Sequence, residues 1–336
     1  MHRKLIVLIG IAVLLAACQF PLLSQQTTPT PASLANALLT PNSNLAPTRT
    51  PFQPMLPTVQ NTPTITPTSI QPTGLPTLPT SKNQMNILLL GSDWRPNGGS
   101  RTDVILLVSL NPDSGFVSVV SFPRDLWVNI PGIGQERINT AQEFGGFPLT
   151  QAAFQNNFNL RIDRYVETNF AGFQAIVDTL GGIDIVAATS LYDRCDLPWR
   201  DASGYCYVGP GEVHMDGATA LWYVRSRYTT SDFDRTRRAQ EVVLGIFQKL
   251  MSLNAVTRAP ELYSEFSSDI DTDLSISDLT TYLPLATTVM ADQSKIHRYS
   301  VGSSLATGYI TPAGADVLLP NYAGIEALLT QALSGQ

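Results

Sequence analysis

Asn86-Ile87-Leu88-Leu89-Leu90-Gly91, Val104-Ile105-Leu106-Leu107-Val108-Ser109-Leu110 and Phe116 to Phe122 are three short apolar runs in close succession. Each has the length and unbroken hydrophobicity of a buried strand. Between the second and third lies Asn111-Pro112-Asp113-Ser114-Gly115, a stretch of turn-forming residues. Three strands joined this way predict an antiparallel meander. The end of the first strand, the start of the second and the end of the third then share one edge. Asp93, Arg101, Asp103, Arg124 and Asp125 are delivered to that edge together.

Further along, Phe170, Phe173, Ile176, Val177 and Leu180 stand at helical spacing, with Asn169 as N-cap and Gly181-Gly182 as the stop. Ile183 to Val186 reads as another strand. A stronger helix is predicted from about Arg235, with Ala239, Val242, Val243, Ile246, Phe247 and Leu250 on one face. Strands alternating with helices give an α/β class, helices packed on a central sheet. Residues 83–336 suit a single domain.

Arg225, Arg227, Arg235, Arg237 and Arg238 crowd a fourteen-residue window of a chain whose net charge is −6. Such a cluster repels itself unless an anion sits among its members, and guanidinium forks suit phosphate. Arg235, Arg237 and Arg238 are predicted to fall in the first turn of the strong helix, where cations are disfavoured by ~0.3–1 kcal/mol each. Asp232 or Asp234 can cap that turn, and a bound phosphate would offset the charge better. Arg225 and Arg227 project to the same side if their segment is extended. Arg237 also suits a solvated patch. Asp93 and Asp103 suit Mg²⁺, which takes one or two carboxylates and shares phosphate oxygens.

At the N-terminus, Met1-His2-Arg3-Lys4 precedes an apolar run from Leu5 to Ala17, then Cys18. A basic start, a short apolar stretch and small residues before a break make an export signal. Leu15-Ala16-Ala17-Cys18 resembles the bacterial lipobox, so residues 1–17 read as a lipoprotein signal peptide and Cys18 as the lipidated residue. An uncleaved, short membrane anchor is the alternative. Either places the chain at the outer face of the cell membrane. Residues 18–82, rich in Pro, Thr, Ser, Gln and Asn, read as a disordered tether reaching at most about 190 Å. The acidic balance argues against a nucleic-acid partner. Cys195 and Cys206 suit a structural disulfide in an oxidising compartment. With only His2, His214 and His297 in the chain, histidine-based triads and zinc sites lack material.

Several motifs in order resemble the LytR-CpsA-Psr family: residues 86–95, Arg101-Thr102-Asp103, Ser121-Phe122-Pro123-Arg124-Asp125 and Arg137-Ile138-Asn139 with Gly145-Gly146. Asp216 to Leu221, Tyr223 to Tyr228 and Asp232 through Arg238 complete the set. The resemblance implies a three-layer α/β/α fold with a central mixed sheet. It implies an extracytoplasmic phosphotransferase that moves a glycopolymer from polyprenyl pyrophosphate to peptidoglycan as a phosphodiester. Asp93 and Asp103 would hold Mg²⁺; Arg124, Arg225, Arg227 and Arg235 would bind pyrophosphate, with Arg101 and Arg238 as further candidates. Asp103 or Asp125 would serve as base. The polyprenyl chain would lie in an apolar tunnel. The same residues would also suit a pyrophosphatase acting on that lipid, or a non-enzymatic polyprenyl-phosphate-binding envelope regulator. The chain departs from the family in its lipobox and tether, in Ala239 where glutamine is usual, and in Asp234 where glycine is usual.

Overall fold

Strands buried on both faces build the meander, β3 at every position. The computed structural model describes residues 77–93, 101–253, 266 and 270–335. The signal, Cys18, the tether up to residue 76 and the pair Trp94-Arg95 lie outside the described residues. Strands β1 (Met85–Ser92), β2 (Thr102–Asn111) and β3 (Phe116–Phe122) pair antiparallel, with Leu88 opposite Leu107 and Leu107 opposite Val120. A small antiparallel pair follows, β4 (Trp127–Ile130) with β5 (Gly134–Arg137). Helix α1 (Ala141–Phe158) is broken near its start, where Gly145 and Gly146 leave helical geometry ahead of Pro148.

Strand β6 (Arg164–Asn169) runs parallel to β1 and leads directly into α2 (Phe170–Thr179). The Asn169 side chain accepts the Gly172 N–H at 2.9 Å, so the predicted N-cap is present. Then come β7 (Ile183–Ala187), the hairpin β8 (Leu191–Arg194) and β9 (Tyr205–Val208), and β10 (Gly211–Met215), which pairs with β7. Helices α3 (Gly217–Arg225) and α4 (Asp232–Ser252) follow. The rest is β11 (Ile270–Thr272), α5 (Ile276–Ala291), β12 (Ile296–Ser300), the hairpin β13 (Ala306–Ile310) and β14 (Asp316–Pro320), and α6 (Tyr322–Ser334).

The central sheet has the order β11-β6-β1-β2-β3-β12 and mixes parallel with antiparallel neighbours. One face is filled. Leu88, Leu90, Leu107 and Phe122 meet Phe154 and Phe158 of α1 and Leu329 of α6 in a continuous buried cluster. Each such side chain contributes about 1.5–3 kcal/mol by leaving water. The other face is covered by α4 and α5 and is less densely filled. The expected three-layer α/β/α arrangement is therefore the observed one.

Close approach fixes the helices of that second layer. A Cβ at Gly217 would stand 2.4 Å from the Gln174 carbonyl, so α3 presses on α2 only because the residue is glycine. At Gly245 a Cβ would meet Ile185 at 2.8 Å, which sets α4 against β7.

Two local readings are corrected. Helix α4 starts at Asp232, because Ser231 and Asp234 form a reciprocal capping box. Arg235, Arg237 and Arg238 thus lie beyond the first turn, and the free N–H groups of the helix end are not theirs. Arg225 is the last residue of a helix capped by Asp216 rather than part of an extended segment. A third change concerns the tether. Leu78 is 7% exposed within the main core and its N–H bonds the Asn159 carbonyl at 2.9 Å, so packing begins before residue 83.

Candidate active site

Strands β1, β3, β6 and β12 end, and β2 begins, at one edge of the sheet, as their pairing directions require. Asp103 sits at the start of β2 and its carboxylate is ion-paired with Arg124, just past the end of β3. Arg124 also lies 3.3 Å from Asp125, which in turn lies 3.4 Å from Arg137. Burial pulls the Arg124 guanidinium down, but the hydrogen bond and charge of Asp103 and the charge of Asp125 outweigh it, and the net shift is upward.

Arg235 enters from α4. It is 4% exposed, pairs with Asp232 at 2.7 Å, and donates through Nη2 to the Asp103 carbonyl at 3.2 Å. Its Nε and the Asp232 Oδ2 are buried without a partner. Burial pulls this guanidinium below its ordinary range; Asp232 acts against that, while Arg124 and Arg227 add repulsion. Asp232 supplies one anion, and the buried Nε still lacks an acceptor.

Arg225 lies over the Phe170 ring, 4.1 Å from its centroid. Arg227 follows two residues later. Among the described residues, neither guanidinium has a hydrogen-bond or ion-pair partner. Together with Asp103, Arg124 and Arg235 they rim a cavity of about 460 Å³ that opens into the less filled face of the sheet. Its walls are apolar: Leu89 and Leu106 from the sheet, Phe173 from α2, and Ala239, Val242 and Ile246 from α4. A charged mouth on an apolar hollow fits an amphiphile with an anionic head.

The remaining candidates do not line the cavity. Asp93 accepts the Arg101 N–H at 2.8 Å, closing the loop between β1 and β2. The Arg101 side chain is 59% exposed and turns toward Glu143 at 3.9 Å. Neither Asp93 nor Arg101 lines the cavity. Arg238 is 1% exposed and gives its guanidinium to the carbonyls of Tyr223 and Ser226 and to the Thr230 hydroxyl. It holds the segment carrying Arg225 and Arg227 from behind and is not available to pyrophosphate. Arg237 pairs with Glu241 and Thr189, so the solvated-patch reading does not describe it. Asp125 is held between Arg124 and Arg137, off the cavity, which leaves Asp103 as the carboxylate at the mouth.

Two contributors went unread in the sequence. Phe170 reads in the sequence as one more core position of α2; in the structure it is the platform under Arg225. Asp232 reads in the sequence as a helix cap; its spacing of three from Arg235 is the sign of the ion pair that the structure shows.

For a metal, no group of three or more His, Cys, Asp or Glu side chains stands together among the described residues. Asp103 and Asp93 each commit one oxygen, to Arg124 and to the Arg101 N–H respectively, and keep the other. Two hard carboxylates fit Mg²⁺, which takes few protein ligands and completes its shell from phosphate and water. Cys195 and Cys206 are joined as a disulfide, Cα atoms 5.7 Å apart.

The family model of the LytR_cpsA_psr family matches residues 58–318, most of the chain. The chain belongs to the LytR-CpsA-Psr family. Among relatives of this family, the polyisoprenyl-teichoic acid–peptidoglycan teichoic acid transferase TagU of Oceanobacillus iheyensis is 33% identical over 210 residues. That match covers 60% of this chain and 62% of TagU, so the chain spans about three-fifths of the relative's length. In fold it is similar to the crystal structure of B. subtilis TagV, with a TM-score of 0.62 and 25% identity over 76% of this chain and 98% of TagV. A structure of TagT bound to LIIa-WTA gives a TM-score of 0.58 at 27% identity, covering 76% of this chain and 91% of TagT.

Proposed function

We propose that this LytR-CpsA-Psr protein is an extracytoplasmic, Mg²⁺-dependent transferase that moves a glycopolymer from a polyprenyl pyrophosphate carrier to peptidoglycan, leaving a phosphodiester. One observation carries the reading. Arg225 and Arg227, both without an anionic partner, and the buried Nε of Arg235 surround the mouth of an apolar cavity. A pyrophosphate on a long apolar tail satisfies both halves of that arrangement. The teichoic acid transferase named among the relatives supports the same reaction class.

In the reaction, a peptidoglycan hydroxyl attacks the sugar-linked phosphorus. A new P–O bond forms, the pyrophosphate P–O–P bond breaks, and polyprenyl phosphate leaves with the bonding electrons. The hydroxyl proton passes to the Asp103 carboxylate, the one at the mouth. Arg225, Arg227 and Arg235 bind the non-bridging oxygens and hold the charge that builds on the leaving phosphate. Arg124 orients Asp103 through their ion pair. Asp103 and Asp93 would hold Mg²⁺, which neutralises part of the phosphate charge when bound. Cys18 would carry the lipid that keeps the domain at the outer membrane face.

The test is transfer itself. Purified protein receives labelled lipid-linked glycan with and without peptidoglycan. Label coupled to wall fragments supports the transferase; label freed equally in both samples identifies a hydrolase, and no release at all leaves a binding role.

A further inference from the structure

The motif Arg137-Ile138-Asn139 lines no part of the cavity, yet it is bound to the segment that carries Arg124. Residues Arg124 to Leu126 run between two flanks. On one side the Ile138 N–H donates to the Leu126 carbonyl at 2.8 Å, and the Asn139 N–H to the Arg124 carbonyl at 3.3 Å. On the other side the Leu318 N–H of β14 donates to the Asp125 carbonyl at 2.9 Å, and Leu126 bridges Leu318 in parallel. Leu126 and Ile138 are buried in the main core, which fastens this backbone frame.

Side chains continue the frame as a row of alternating charges. Arg137 donates through Nη2 to the Asp316 carbonyl of β14 at 2.8 Å, and its Nε stands 3.4 Å from Asp125 Oδ1. The other Asp125 oxygen accepts from Arg124 Nε at 3.3 Å, and Arg124 Nη1 pairs with Asp103. Asp125 thus divides its two oxygens between two arginines. All four side chains are less than a third exposed, so water screens them only in part. A long arginine side chain has many rotamers open to it, and Arg124 has two carboxylates to choose between. With Arg137 on Oδ1, Asp125 is held still and its charge is shared. Arg124 Nη1 is then left to Asp103.

We propose that Arg137 is a positioning residue for the transfer reaction: acting through Asp125, it fixes the Arg124 guanidinium against Asp103 at the cavity mouth. The proposal rests on the reading of Asp103 and Arg124 as groups of the reaction and adds what keeps them in register. The β13–β14 hairpin takes part, since the Asp316 carbonyl holds Arg137 and the Leu318 N–H holds Asp125. Residues almost 200 positions after Arg124 therefore belong to the support of the site.

The test is a double-mutant cycle on the full chain, read as release of polyprenyl phosphate from glycosylated polyprenyl pyrophosphate in the presence of peptidoglycan. Arg137→Gln should lower kcat by about ten- to a hundredfold, the scale of a misplaced reacting group, with KM within about twofold of wild type. Arg137→Lys keeps a cation beside Asp125 and should recover part of the loss. In an Asp125→Asn background, Arg137→Gln should cost less than about twofold more, because the link through which it acts is already cut. Multiplying losses in that background overturn the relay. So does a fall in kcat that tracks a lowered melting temperature and disappears on cooling, which marks Arg137 as merely structural. Wild type that releases no polyprenyl phosphate strikes the proposed function instead. The relay is then decided by denaturant unfolding, where additive losses for Arg137→Gln and Arg124→Met overturn it.

Discussion

The Arg235 guanidinium donates to the backbone carbonyl of Asp103 at 3.2 Å, joining helix α4 to strand β2 across 132 positions of sequence. Asp103 and Arg124 of the meander edge and Arg225, Arg227 and Arg235 of the late cluster are therefore one assembly around one cavity mouth. A change on either side should be felt as a change in the handling of a phosphorylated ligand.

Arg227→Ala removes a guanidinium that holds nothing within the described fold. Charge-assisted hydrogen bonds to phosphate are worth ~1.5–3 kcal/mol each, so turnover should drop by about ten- to a hundredfold. The thermal midpoint should stay at the wild-type value. Polyprenyl phosphate release and a circular-dichroism melt, run side by side, check both halves; undiminished release removes Arg227 from the site.

Arg238→Met should behave in the opposite way. It strands the carbonyls of Tyr223 and Ser226, each a buried acceptor costing ~1–3 kcal/mol when unsatisfied. Denaturant unfolding should show a loss of stability of a few kcal/mol. Any fall in activity should follow from unfolding and recover at lower temperature.

Ala239 lines the apolar hollow where the family usually has glutamine, and Ala239→Phe places a ring in that space. Filling empty volume should alter the ligand-free stability by only about 1 kcal/mol. Wild type should gain ~2.7 kcal/mol from polyprenyl phosphate at a hundred times its dissociation constant. Differential scanning calorimetry should find most of that gain gone in the variant. An equal gain in both would place the lipid elsewhere.

Glu167 provides the pH prediction. Burial lifts its carboxyl above the ordinary range, against hydrogen bonds from Ser92 and Gln142. The folded state thus binds this proton more tightly than the unfolded state does. The stabilising contribution is complete below the unfolded value and is lost as pH rises through the folded one. Glu167→Gln escapes that loss, so its melting temperature should improve relative to wild type on going from pH 4 to pH 7. A gap that moves the other way would contradict the burial argument.

Chelation should stop turnover and added Mg²⁺ should restore it. In Asp103→Asn, restoration should need more metal and remain incomplete, because a hard anionic donor at the mouth has become a neutral amide. Turnover against Mg²⁺ concentration distinguishes this from a folding defect.

Much of the architecture was legible because strand patterning and punctuation agree. Leu88 to Leu90, Ile105 to Leu107 and the 111–115 turn specify the meander, and Asn169 with Gly181-Gly182 bounds α2 as read. The convergence of Asp103 and Arg124 followed from strand direction alone. Arg238 did not follow, since a buried and an exposed arginine look alike in sequence until the carbonyls that claim one are placed. The hollow under α4 was equally hidden: Val242 and Ile246 announce an apolar face, but periodicity does not say whether a face meets side chains or space. The β8–β9 hairpin left only its two cysteines as a sign.

The two faces of the central sheet are not equivalents. One is finished by the chain itself; the other keeps an apolar hollow. On the proposed function the lipid carrier is as much a building element as a substrate, and a protein caught between cargoes is its own loosest form, the one that heat and proteases should find first.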